Sequence, residues 1–276
     1  MIPFQSVRMD LMSSKDVAKY LKKNDMVILP VGCFEMHGPR IPLACDTFLD
    51  LASVYLLAEK WKCLVAPPIH YTYPGASAPW PGTVTISPEA TQAYIKAVAL
   101  GLLKAGFKRI AISGEHGPLD AIIKPVTWSI FEETGTIMAH LNCIPVVMPE
   151  DLMKEEFGFA WREDLYLLGC LKLLGLEGVY NPVQNVQKNI EYPFKVIRKL
   201  RKFGGASQVP WIFKADHQHT GINKGMKYSD ADRIIKVMKK AVARAGDFPK
   251  YLGQYQKEVA QVMKKKPWKS KKVWSL

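Results

Sequence analysis

The chain has 276 residues, 48% of them hydrophobic and 23% charged, and its 38 lysines and arginines outnumber 25 acids to give a net charge of +13. That balance supports a full hydrophobic core and excludes an intrinsically disordered chain. The basic excess, with a pI of about 9.4, raises nucleic acid or an acidic substrate as partners.

Much of the excess is concentrated at Lys264, Lys265, Lys266, Lys269, Lys271 and Lys272, interleaved with Trp268 and Trp274. A solvated lysine-rich terminus is the commoner meaning of such a run, so the expected partner is a small molecule rather than nucleic acid. The first residues lack the basic flank and apolar core of a secretory signal, and no apolar run approaches the ~18 residues of a membrane span. The expectation is a cytoplasmic protein without membrane contact. Cys33, Cys45, Cys63, Cys143 and Cys170 are odd in number and show no short paired spacing. This argues against a disulfide framework and against a cysteine zinc site.

In chain order, Ser13 or Ser14 caps a helix to about Lys23, which delivers the chain to Val27-Ile28-Leu29-Pro30-Val31. The length and β-branched content of that run predict a buried strand. It breaks at Gly32 into a loop carrying Glu35, His37 and Asp46. In open α/β sheets ligands bind at the carboxyl ends of strands. Glu35 and His37 are two apart, so in an extended segment they project on one face. Two carboxylates and an imidazole form a mixed N/O donor set that suits Zn, Mn or Fe better than Ca or Mg. Taken singly, such loop residues are more often solvated or capping groups.

Phe48 to Trp61 has helical spacing, and Cys63-Leu64-Val65-Ala66 reads as the next strand, implying a right-handed parallel crossover. Ile69 to Thr85 is dense in Pro, Gly and aromatics, too irregular for an element and of a size usually kept for function. Ser87-Pro88-Glu89 opens a helix to about Ala105, with Gly106 as its stop. Arg109 to Ser113 is a strand followed at once by Gly114-Glu115-His116-Gly117-Pro118, a second strand-end loop with ligand chemistry. Pro118 to Thr134 reads as a helix, Thr136 to His140 as a strand, and Ile144 to Val147 as a further extended segment. Phe159 to Leu165 opens a helix running to Leu174, ended by Gly175. Lys188 to Gln208 is basic and irregular. His217 and His219 are read as pocket-lining or proton-shuttling groups rather than a primary metal site, and Ser229 caps a closing helix to about Ala245.

Pro30-Val31-Gly32, Glu35, His37-Gly38-Pro39, Pro42-Leu43 and Asp46 together resemble the signature of the creatininase (creatinine amidohydrolase) family. Arg40 stands where that family has a second His. The resemblance implies a two-metal centre held by Glu35, His37 and Asp46, with Asp46 bridging, and two divalent ions of the Zn, Mn or Fe class. Gly75-x-Ser77 and Pro81-Gly82-Thr83 are similar to the family's second motif, with Trp80 near the place of a missing His. The third motif, Asn-Gly-His-Gly-Gly-Asn, falls on Gly114 to Pro118, where the register admits either Glu115 or His116 as ligand. In the fourth motif, Phe159 replaces a His implicated in proton transfer, Trp161 replaces a Gly, and Glu163 keeps the carboxylate.

From these the expected fold is α/β, a three-layer α/β/α domain with a mainly parallel central sheet, spanning 1–276 with a basic tail at 264–276. The expected activity is metal-dependent hydrolysis of a small cyclic amide or related C–N bond. The alternatives are hydrolysis or isomerisation of a cyclic ketone or sugar derivative, and a catalytically silent metal-binding protein. Glu115, Glu163 and His217 are the expected catalytic groups. Arg40, Ser77, Trp80 and Trp161 are expected to bind substrate, and Glu35, His37, Asp46, Glu115 and His116 to bind metal. By the same resemblance the protein is expected to be a homo-oligomer, a hexamer.

Overall fold

The computed structural model describes residues 2–38, 40–158, 163–180, 196, 199, 202 and 227–269. Four strands, β1 (Met26–Val31), β2 (Leu64–Val65), β3 (Arg109–Gly114) and β4 (Ala139–Leu141), form one parallel sheet in the order β2-β1-β3-β4. Met26 pairs with Arg109 and Val31 with Gly114, so the two central strands end level and their following loops leave the same edge.

Among the described residues the helices are α1 (Ser14–Leu21), α2 (Cys45–Trp61), α3 (Pro88–Lys104), α4 (Leu119–Thr134), α5 (Ile144–Val147), α6 (Glu150–Phe157), α7 (Glu163–Leu173), α8 (Asp230–Arg244) and α9 (Phe248–Val262). All six β1 residues are buried, and the two-residue period divides them between two cores. Met26 and Ile28 pack with α2, α7 and α8; Val27, Leu29 and Val31 pack with α3 and α4. The result is the expected three-layer α/β/α arrangement. α8 meets its core with Ala231, Ile234, Val237, Met238, Ala241 and Val242, a stripe at helical spacing.

Local signals account for some helix ends, although Ser229, expected to cap α8, makes no side-chain capping hydrogen bond. Ser13 and Asp16 form a reciprocal capping box at α1, and Ser87 with Pro88 opens α3 as the sequence predicts. Three features differ from expectation. α2 begins at Cys45 rather than Phe48, so Asp46 lies in its first turn, where the helix dipole favours an acid, and not in the preceding loop. Ile144–Val147 is one helical turn instead of an extended segment: Pro145 fits the first turn of a helix, and the β-branched composition is misleading there. α6 and α9 had no counterpart in the sequence reading. Among the described residues no helix is long and apolar enough to cross a membrane.

α7 and α8 cross at Gly169, where a Cβ would lie 2.0 Å from Ile234 Cγ2. Both partners sit on rigid helices, so Gly169→Ala is expected to destabilise the protein by about 1–3 kcal/mol, through overpacking. A lowered urea midpoint at unchanged slope checks this; an unchanged midpoint would show that the crossing yields freely.

Candidate metal centre

The level ends of β1 and β3 face the first turn of α2. At Gly32 a Cβ would lie 2.1 Å from Thr47 Oγ1 and 2.7 Å from Thr47 Cα, so only glycine lets the strand end approach the helix so closely. The loop beyond is tied down by its neighbour, residues 69–85. Gly32 N–H donates to the Ile69 carbonyl at 2.8 Å, Thr72 Oγ1 donates to the Gly32 carbonyl at 2.8 Å, and Met36 N–H donates to Thr83 Oγ1 at 3.0 Å. Glu35, His37 and Asp46 are thereby buried, together with His116 from the loop after β3.

Asp46 stands at the centre of this group. Its Oδ1 lies 3.0 Å from His37 Nε2, and its Oδ2 lies 3.1 Å from His116 Nδ1. Glu35 Oε1 is 3.2 Å from the same His116 nitrogen, while Glu163 Oε1 is 3.8 Å from His37 Nε2. The donors therefore fall into two sets that Asp46 joins. One gathers Cys33, Glu35, Asp46 and His116, the other His37, Cys45 and Glu163, with donor atoms in each set within 4.8 Å of one another.

The imidazoles are oriented from behind. His116 Nε2 lies 2.9 Å from the Tyr73 carbonyl and His37 Nδ1 lies 3.3 Å from the Glu35 carbonyl. A carbonyl only accepts, so these nitrogens carry hydrogen and the opposite ring nitrogens face the carboxylates, as in metal-ligating histidines. Glu35 Oε1 and Asp46 Oδ2 are buried without a hydrogen bond although both adjoin His116 Nδ1. Orphaned acceptors around an inward-facing imidazole fit a shared divalent cation.

The electrostatics agree. Burial alone would depress His37, yet the adjoining carboxylates, Asp46 foremost, outweigh it and raise its pKa to about 9. His116 is raised well above its usual value against the same opposing burial. Asp46, which burial pushes up, is held below the ordinary carboxylate range by the two imidazoles. Burial, opposed by His37, lifts Glu163 to about 7. In the metal-free protein, protons on the imidazoles take the place of the cations.

Among the other expected site residues, Ser77 is buried and its Oγ donates to Glu35 Oε2. Trp80 is half-buried on the same segment, and Arg40 is exposed. Trp161, His217, His219 and Phe159 lie outside the described residues. Glu115, expected as both ligand and catalytic group, does not join Asp46: its carboxylate is grouped with Asp50 and Cys143 instead. Beyond the end of β3 the chain bends at His116, which faces Asp46 while Glu115 faces Asp50 and Cys143. The sequence reading passed over Asp50 and Cys143, and also His70, whose Nδ1 lies 3.3 Å from Thr47 Oγ1. Asp50 follows Asp46 by four residues and shares its helix face, a relation that becomes visible only once α2 is seen to begin at Cys45.

Comparison with known proteins adds to this geometry. The family model described as "Creatininase: Creatinine amidohydrolase" matches residues 10–165, more than half of the chain. The chain belongs to the creatininase family. It is 33% identical over 151 residues to 3-dehydro-scyllo-inosose hydrolase of Thermotoga maritima, covering 53% of this chain and 48% of that protein. It is 29% identical over 113 residues to the mycofactocin precursor peptide peptidase of Mycolicibacterium smegmatis, covering 39% and 46%. The chain thus spans about half the length of the curated relatives it matches. A solved structure named "Creatininase Mn" superposes with a TM-score of 0.67 at 17% identity, covering 86% of this chain and 96% of that one, a likeness of fold.

Glu35→Gln, His37→Ala, Asp46→Asn and His116→Ala are each expected to lower bound metal, measured by elemental analysis after dialysis. Full metal retention by Asp46→Asn would remove its bridging role. The metal-free protein should also lose stability as pH rises. His37, raised from 6.5 to about 9, contributes fully below 6.5 and loses that contribution as pH passes through 9. Glu163, raised from 4.5 to about 7, acts in the same direction over its own lower range. Melting temperatures of the metal-free protein between pH 6 and 9.5 should therefore fall, and a flat profile would contradict the charge assignment.

Proposed function

We propose that this chain is a metal-dependent hydrolase that opens a small carbonyl-containing ring. The reading rests on Asp46, whose two oxygens face two separate imidazole-carboxylate sets inside the fold. In it, Glu35, Asp46 and His116 hold one divalent ion, and His37, Asp46 and Glu163 hold the other. The name "Creatininase Mn" supports manganese as one occupant, and the mixed donor set also suits zinc. Bound metals of this kind supply Lewis acidity toward a carbonyl and lower the pKa of water.

The protein's own groups divide the remaining work. Ser77 fixes Glu35 through its Oε2 and leaves Oε1 for the ion. Tyr73 fixes the His116 tautomer through its carbonyl. Glu163, with a side chain 17% exposed, is more open to solvent than the other donors and closes the His37 set on its accessible side. Trp80, half-buried on the segment that covers Glu35, is assigned the substrate contact here, with Ser77 supporting Glu35 beneath it. His217 is proposed as the proton carrier on the sequence alone, in the role a His at position 159 would otherwise take.

For the substrate class, the 33% identity to an inosose hydrolase favours a polyhydroxylated cyclic ketone over a cyclic amide. In such a ring with a second carbonyl in the 1,3 position, water adds to one carbonyl, the C–C bond between it and the intervening carbon breaks, and that carbon, left as an enolate of the second carbonyl, is protonated. The products are a carboxylate and a ketone, and the proton must come from an acid in the site.

The metal-loaded protein should open a polyhydroxylated cyclic 1,3-diketone with uptake of water, seen by mass spectrometry. It should turn over creatinine at least about tenfold less efficiently, by the ratio of kcat/KM values. Chelation should abolish ring opening and added Zn or Mn restore it. Efficient creatinine turnover, or cleavage of short peptides with the ring ketone untouched, would overturn this substrate assignment while leaving the metal centre standing.

A further inference from the structure

A second cluster lies one helical turn deeper than Asp46. Asp50 projects from α2 over the ends of β1 and β3, where its Oδ2 accepts from Val31 N–H at 3.2 Å and from Ser113 Oγ at 2.8 Å. Both bonds pin Oδ2, and Oδ1 is left buried without a hydrogen bond. Glu115 arrives from the loop after β3. Its two carboxylate oxygens are sealed from solvent and close no hydrogen bond of full geometry, though the backbone N–H groups of Ile144 and Cys143 lie near enough to act on the carboxylate. Cys143, fully buried just beyond β4, completes the group. One donor atom from each of Asp50, Glu115 and Cys143 lies within 4.8 Å of the other two.

One helix and two strand-end loops thus bring a thiol and two carboxylates together in the interior, and three of the four carboxylate oxygens close no hydrogen bond of full geometry. We propose that Asp50, Glu115 and Cys143 bind a third metal ion, distinct from the pair joined by Asp46 and structural in character. A sulfur donor beside two oxygens favours a thiophilic ion of low coordination number, Zn²⁺ above Mg²⁺ or Ca²⁺, which seek six or more oxygens. Binding forms a Zn–S bond as the Cys143 thiol, together with whichever of Asp50 and Glu115 carries a proton, gives up its proton to solvent, so two carboxylates and a thiolate surround the ion. The ion would tie α2, the loop after β3 and the loop after β4 together directly beneath the catalytic pair. The inference is independent of the substrate assignment.

The test uses the full-length protein loaded with Zn²⁺ and freed of loosely bound metal. Wild type should hold about one equivalent more than Glu115→Gln or Cys143→Ser, as expected when one closed set of ligands is broken. The variants should keep the metal that His37→Ala and His116→Ala lose. Circular dichroism and the melting temperature identify any variant that has failed to fold. To cover that case, the Cys33→Ala/Cys45→Ala protein is loaded with Co²⁺, which removes the thiols of the upper sets. A sulfur-to-cobalt charge-transfer band in the near ultraviolet should persist there and disappear on adding Cys143→Ser. Equal metal content in wild type and the folded Glu115→Gln variant, or absence of the cobalt-sulfur band, would overturn the proposal. Either result leaves the Asp46 pair untouched, because its own variants report on it separately.

Discussion

The arrangement at the sheet edge depends on one electrostatic problem. Glu35 and Asp46 are almost completely enclosed, Glu163 is largely so, and among the described residues two imidazoles are cationic partners within reach. Moving a carboxylate out of water carries an effective penalty of several kcal/mol per ion, so concentrated negative charge persists only with positive charge among it. The second nitrogen of each imidazole is committed to a carbonyl, which aims its basic nitrogen inward. Neighbouring structure holds both rings and the carboxylates in place before any cation arrives, so little ordering entropy remains to oppose binding.

The parallel sheet supplies the stage for this. Because β1 and β3 end in register, ligands from sequence positions as far apart as Glu35 and His116 reach one point without a long excursion of either loop. The third contributor, Asp46, comes from a helix start, where the oriented peptide dipoles favour its negative charge. Gly32 and Thr47 make the contact that sets the distance between strand end and helix start. A small change in that contact moves Asp46 relative to Glu35, which explains why a residue without a side chain stands at the hinge of the motif.

Much of this was legible in the sequence, for reasons tied to particular residues. The run from Val27 to Val31 has too little polarity to be anything but an interior strand, and the Gly32 break put chemistry at its end. The Ser87-Pro88 start of α3 is likewise a local signal. The Glu115 and His116 alternatives were not separable, because each is chemically a good ligand and backbone direction alone decides which points inward. Asp46 was placed in a loop because Cys45, Asp46 and Thr47 are weak helix formers; dipole and packing prevail there over propensity. Asp50 was passed over because a single acid on a helix usually faces solvent, and only tertiary structure reveals that this one lies over two strand ends.

The segment from Ile69 to Thr85 touches the centre twice: the Tyr73 carbonyl receives His116, and Ser77 donates to Glu35. Both contacts are to ligands of the same proposed ion, and the segment also carries Trp80, the proposed substrate contact. Occupancy of the ion site and the posture of this segment are therefore linked quantities. Whatever free energy the cation gives to ordering the segment, an ordered segment returns in equal measure to cation affinity. In the proposed arrangement, a substrate resting on Trp80 would tighten the grip on the metal beneath it, and loss of the metal would loosen the surface on which the substrate rests.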